Sequence, residues 1–248
     1  GVEELVEEEQ CVYALTCGGY IKRTPASEYR LQGKGGKGNK SMSTKEEDNV
    51  NTVFTASTHD YVLFFTNMGR VYRRKGYQIP ASGKTAKGTN LVNILPIEPG
   101  ERVSAMIHTD DISTGDRFLV MVTRNGTVKR LPGESLKNLR SNGIRALTLD
   151  EGDELISVRE TDGSMKILIA THDGSAVCFD ESDVRPTGRG SMGVRGIRLR
   201  EGDYVIGAAR AVPGKNVLTI TELGYGKQTP VEEYRITARG GLGIKNYG

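Results

Sequence analysis

Apolar positions along this chain fall into short, β-branched runs, and no stretch repeats them convincingly at helical spacing. Five runs end in threonine: "VYALT" at Thr16, "VLFFT" at Thr66, "LVMVT" at Thr123, "ILIAT" at Thr171 and "VLTIT" at Thr221. Shortly after, each meets a glycine, Gly19, Gly69, Gly126, Gly174 and Gly224. A second short run follows: "YIKR", "RVYRR", "TVKR", "SAVCF" and "YGKQ". Such pairs predict hairpins, the glycine supplying the left-handed residue of a bulged turn.

A second glycine recurs in register, at Gly38, Gly88, Gly143, Gly193 and Gly243. It predicts a third strand, clearest over 143–149 and 193–199, and a fourth is expected over 102–107, 154–158 and 204–209. The pattern predicts an all-β, propeller-like chain of about five four-stranded blades with a period of about 50 residues. A single sandwich would not need this regularity. Residues 1–10 are expected as an acidic linker or N-terminal strand, and 11–248 as one domain. The repeats run approximately over 11–50, 51–101, 102–153, 154–203 and 204–248.

Composition adds constraints. With 248 residues and 36% hydrophobic content, the chain can bury a sizeable core. No apolar run approaches the roughly 20 residues of a membrane span. The acidic opening "GVEELVEEEQ" is unlike a secretory signal. Cys11, Cys17 and Cys178 form no C-x-x-C, which points to a reducing cytoplasm without a disulfide framework. His59, His108 and His172 stand at no metal-ligand spacing, so no metal site is expected. The recurring "EGD" at 151–153 and 201–203 is read as an inter-strand turn.

Charge is more informative by position than in total. The first ten residues carry five glutamates and no base, so the remainder has a net charge of +8 against +3 for the whole. The slot before the second glycine reads "QGKGGKG", "SGKTAKG", "NLRSNG", "TGRGSMG" and "TARGGLG". Its glycine spacing satisfies a dinucleotide fingerprint twice, but no helix follows to receive a phosphate, and the loop is read as a structural turn. Four residues before the second glycine stand Lys34, Lys84, Arg189 and Arg239, and two after it stand Lys40, Arg145, Arg195 and Lys245. Lys37 and Lys87 lie immediately before it. The hairpins add Lys22, Arg23, Arg73, Arg74, Lys129, Arg130 and Lys227, while the fourth repeat departs with "VCFDESD". Folding is not expected to demand basic residues in one slot of successive repeats, and if the repeats are arranged radially these cations become a basic belt on one rim. With no tryptophan and 6% aromatic residues, stacking platforms for single strands are few. The expected ligand is then the backbone of duplex DNA, bound without sequence preference.

"GGYIKRTPASEYRLQGKGGKG", "THDYVLFFTNMGRVYRRKGYQIP" and "GVRGIRLREGDYVIGAARAV" resemble the C-terminal domain of the DNA gyrase A protein. The resemblance implies a β-pinwheel, usually of six blades, that wraps DNA around a basic perimeter while its enzyme introduces negative supercoils. It also implies a DNA-binding box at Gln32, Gly33, Lys34, Gly35, Gly36, Lys37 and Gly38, with Gly33 and Lys34 where the family has two arginines. No catalytic residue, metal or cofactor is expected in this domain, since ATP and Mg belong to the parent holoenzyme. The implied partners are the N-terminal part of the same polypeptide and the enzyme's ATPase subunit, in the bacterial cytoplasm at the nucleoid. The five-bladed domain of the corresponding topoisomerase IV protein is the neighbouring alternative, and a propeller-type protein-interaction platform is an alternative of another class.

Overall fold

The computed structural model describes residues 1–30, 49–110, 115–211, 216–220, 226–230 and 239–245. Short helices α1 (Val2–Leu5) and α2 (Ala26–Arg30) accompany strands β1 (Gln10–Thr16), β2 (Tyr20–Pro25), β3 (Val50–Ser57), β4 (Tyr61–Thr66), β5 (Arg70–Lys75) and β6 (Thr89–Asn90). There follow β7 (Val103–Thr109), β8 (Phe118–Thr123), β9 (Thr127–Pro132), β10 (Ile144–Arg145), β11 (Leu155–Thr161) and β12 (Lys166–Thr171). The last are β13 (Ser175–Asp180), β14 (Val194–Arg195), β15 (Val205–Ala211), β16 (Asn216–Ile220), β17 (Gly226–Pro230) and β18 (Ile244–Lys245). No described helix is long and apolar enough to cross a membrane.

Among the described residues there are four four-stranded sheets, ordered β3-β1-β2-β6, β10-β5-β4-β7, β11-β8-β9-β14 and β15-β12-β13-β18, and one two-stranded sheet, β16-β17. The fold is all-β and blade-like in its repetition. Each four-stranded sheet is one hairpin, a long outer strand after it, and a two-residue strand from further along the chain.

The threonine that ends each first hairpin strand has a structural reason. Gly126 N–H donates to the Thr123 carbonyl at 3.0 Å, and Thr127 N–H donates to the Thr123 hydroxyl at 3.0 Å. The same pair of bonds forms at Thr16, Thr66 and Thr171. Gly19, Gly69, Gly126 and Gly174 hold φ between +82° and +93°, as the bulged turn requires. Gly224 lies outside the described residues.

The third strand differs from expectation. Of the predicted 143–149 and 193–199, the strands cover Ile144–Arg145 and Val194–Arg195, with one isolated bridge from Arg198 to Leu242. Beyond Arg145 the chain turns to cap the β4–β5 hairpin of the preceding repeat, with Ala146 and Leu147 N–H donating to the Gly69 carbonyl at 2.8 and 3.2 Å. Gly196 and Ile197 do the same to Gly126 at 2.7 and 3.2 Å. These amides have left the ladder to satisfy a turn carbonyl.

The chain divides into two compact units, one of Gly1–Phe64, Val71–Asp111 and Leu139–Ile144, the other of Phe65–Arg70, Ile112–Asn138 and Arg145–Gly248. The first has a core around Tyr13, Leu15, Ile21, Val62, Phe64 and Tyr72. The second packs Val120, Val122, Val128, Ile167, Ile169 and Phe179. Full burial of each such side chain contributes about 1.5–3 kcal/mol. Cys11 and Cys178 are buried free thiols, and burial raises the pKa of each.

Candidate nucleic-acid interface

The described slot loops before Gly88, Gly143 and Gly193 are built against the hairpin of the preceding repeat. Ser82 N–H donates to the Arg23 carbonyl at 2.9 Å, and Thr187 N–H to the Arg130 carbonyl at 3.0 Å. The loop then closes on its glycine. At Gly193, φ is +92° and a Cβ would lie 2.6 Å from the Val128 carbonyl oxygen, so a side chain is excluded on both counts. Gly88 stands in the same way over the Ile21 carbonyl.

The cations of the sequence pattern separate into two sets. Lys87, Arg145, Arg189 and Arg195 are exposed. The Lys87 ammonium sits 4.2 Å over the Tyr20 ring, which orients it without removing it from water. Lys22, Lys84, Lys129 and Arg130 are instead buried, with Lys129 1% exposed. A side chain in this state cannot reach a phosphate, so the expectation of a rim made of all the recurrent cations is corrected for these four. Lys129 Nζ donates to the carbonyls of Ala146, Arg189 and Ser191 at 2.8, 3.0 and 3.0 Å. Lys84 Nζ donates to the Glu28 carbonyl at 3.3 Å and lies 4.7 Å from the Tyr29 ring centroid.

Arg130 is held from three directions. Its Nε donates to the Val184 carbonyl at 2.8 Å, its guanidinium lies 4.5 Å over Phe118, and it pairs with Glu181 at 3.4 Å. Glu181 is fully buried and also accepts from the Thr161 hydroxyl at 2.7 Å and the Met165 amide at 2.8 Å. Breaking such a pair by removing one partner costs about 3–5 kcal/mol, so this cation belongs to the scaffold.

Arg23, Arg73, Arg74 and Arg239 are half-buried. Arg23 donates to the Ile79 carbonyl at 2.8 Å, Arg74 to the Ile94 carbonyl at 3.0 Å, and Arg239 to the Arg195 and Asp183 carbonyls. Lys227 and Lys245 fall in β17 and β18. The box from Gln32 to Gly38, with Lys34 and Lys37, and Lys40 beyond it, lie outside the described residues. Sequence register missed Arg140, Arg185 and Arg198, which are exposed in or beside the slot loops. Arg140 and Arg198 lack a counterpart at the recurrent spacing, so only the fold groups them with the others, whereas Arg185 shares its place, eight residues before the second glycine, with Arg30 and Arg235, a signal that register could have found.

His172, Asp173 and Asp203 bring ligand-type atoms within 4.8 Å of one another, a grouping that sequence spacing did not suggest. Its carboxylates already have structural work. Asp203 Oδ1 accepts from the Asp173 and Tyr204 amides at 2.9 and 2.8 Å, and Asp173 Oδ1 lies 3.0 Å from His172 Nδ1. Asp153 caps the Asn125 and Glu154 amides in the same way, at 2.9 and 2.8 Å. The "EGD" turns therefore tie one hairpin tip to the start of the next long strand, as the inter-strand reading expects.

Repeated hairpin sheets with loops pinned from repeat to repeat define a propeller-type repeat domain. The family described as DNA gyrase C-terminal domain, beta-propeller, matches five successive segments, residues 13–57, 60–110, 117–162, 166–211 and 215–247, and the chain belongs to that family. The DNA gyrase A protein of Clostridium acetobutylicum is 46% identical over 191 residues, which are 77% of this chain and 23% of that protein. The chain thus spans about a quarter of that relative's length. The solved C-terminal domain of DNA topoisomerase IV superposes with a TM-score of 0.79 at 28% identity, covering 96% of this chain and 73% of that one. A DNA gyrase A C-terminal domain gives 0.73 at 26%, covering 95% and 76%.

Proposed function

We propose that this chain is a duplex-DNA-binding and DNA-wrapping domain of a gyrase A-type protein, without catalytic residues of its own. The observation that carries this reading is the exposed set Lys87, Arg145, Arg189 and Arg195, in the slot loops or in the short strands just after them, in a chain of this family. Exposed guanidinium and ammonium groups that recur from repeat to repeat suit a ligand with a repeating negative charge, the phosphate backbone. In this reading the rest of the polypeptide and a separate ATPase protein supply strand passage and ATP turnover, with Mg, in the bacterial cytoplasm. The likeness to the topoisomerase IV domain, at a TM-score of 0.79, supports a second reading in that sister enzyme.

The test is duplex retention against salt. With about four to six phosphates neutralised, log K is expected to fall with log salt at a slope of about −4 to −5, with little preference among sequences. A slope near zero, or tight binding of one sequence alone, rejects the reading. Retention of an acidic protein but not of duplex favours the interaction-platform alternative. If binding holds, the two sister enzymes separate by the shift in linking number that the chain imposes on relaxed plasmid.

A further inference from the structure

The same two carbonyls are held in three successive slot loops, by chemically different cations. Lys22 Nζ donates to the carbonyls of Lys84 and Ala86, which stand four and two residues before Gly88. Lys129 Nζ donates to Arg189 and Ser191, four and two residues before Gly193. Between these repeats the lysine position is Tyr72, and two arginines take over. Arg73 donates to the Leu139 carbonyl at 3.1 Å and Arg74 to the Ser141 carbonyl at 3.0 Å, again four and two residues before the glycine, Gly143. The glycines complete the arrangement, since a Cβ at Gly88 would lie 3.0 Å from Lys22 Cβ and one at Gly193 3.1 Å from Lys129 Cβ. Each loop rests on the stem of the lysine whose head group holds its carbonyls.

Cations kept for solubility would point to water. Here the ammonium groups are buried, and charge-assisted bonds to carbonyls offset part of their desolvation. Substituting two guanidiniums for one ammonium while keeping both carbonyls marks the fixed loop backbone as the common requirement.

We propose that Lys22, Lys129 and the Arg73–Arg74 pair are positioning residues for duplex binding, each clamping the following repeat's slot loop so that its exposed cations, Lys87, Arg140 and Arg189, stand at fixed points for phosphate. The proposal rests on the duplex reading of these loops. The two clamping lysines are buried and touch no phosphate. They act by ordering the loop before the ligand arrives, which removes that entropic cost from binding.

The test uses the 248-residue chain with Lys129→Met, Lys129→Arg, Arg189→Ala and the double variant Lys129→Met/Arg189→Ala. Amide hydrogen exchange over 187–193 and retention of a linear duplex are measured on each. Lys129→Met is expected to speed loop exchange about tenfold, as loss of a local restraint does. It is expected to weaken duplex binding about three- to tenfold, as Arg189→Ala does, while Lys129→Arg restores both readouts. In the double variant the two binding losses are expected not to multiply, because Lys129 acts through Arg189. Unchanged loop exchange, losses that multiply, or no rescue by arginine overturns the proposal. A parent chain that binds no duplex overturns the duplex reading and the positioning role with it, while exchange still decides whether the clamp exists. If Lys129→Met does not fold, Lys22→Met with exchange read over 82–88 makes the same comparison.

Discussion

At the residue scale, Lys129 carries the sharpest consequence. Burial, and then the Arg189 guanidinium, push its ammonium down to about 8 from the ordinary value of 10.5. The sign of the pH effect follows. An unfolded lysine keeps its proton to about pH 10.4, so above the folded value the unfolded chain binds more protons than the folded one. This group's contribution to stability therefore rises with pH through that window, by up to about 3 kcal/mol, and the full cost of the buried charge is present below it. Urea unfolding of the parent and of Lys129→Met, from about pH 7 to about pH 10, is expected to show the difference moving in the parent's favour as pH rises. A constant difference would mean that Lys129 titrates as an exposed lysine does. The recurrence of Lys22 and Lys129 was legible in the sequence, but their environment was not. Their slot-loop acceptors lie about 60 residues further along the chain, so periodicity recorded the cation without its partner.

At the element scale, the hairpin explains why its first strand ends in threonine. Thr123 is buried and its hydroxyl accepts the amide that follows the turn glycine. Thr123→Val keeps the shape and removes that acceptor, with an expected cost of about 1–2 kcal/mol, while Thr123→Ser should retain most of the stability. Thermal or urea unfolding of the two variants checks this, and equal losses would assign the effect to packing. The hairpins and their turn glycines were readable because a strand–turn–strand unit is local. The third strand was readable only as an apolar run. Whether its amides extend a ladder or cap a turn depends on the Gly69 and Gly126 carbonyls, which belong to earlier hairpins.

At the scale of the whole molecule, the proposed wrapping would ask more of the exposed cations than simple binding. Replacing Arg145, Arg189 and Arg195 together with Ala is expected to weaken duplex binding by about 2–4 kcal/mol, from three charged contacts that are not fully additive. The shift in linking number of relaxed plasmid is expected to suffer more, because bending duplex costs several kcal/mol that the contacts must offset. A triple variant that shifts linking number as fully as the parent would count against the proposed role of these three residues. By itself the sequence determined the all-β class, the repeat, the hairpins and the family, because strand alternation, turn glycines and motif wording are properties of neighbouring residues. Tertiary structure alone decided which members of one basic pattern meet water and which meet carbonyls. Lys129 and Arg189 recur in the same cationic pattern, yet one is sealed beneath a loop and the other stands on it. Burial is set by the backbone that folds over a side chain, and here that backbone comes from the next repeat.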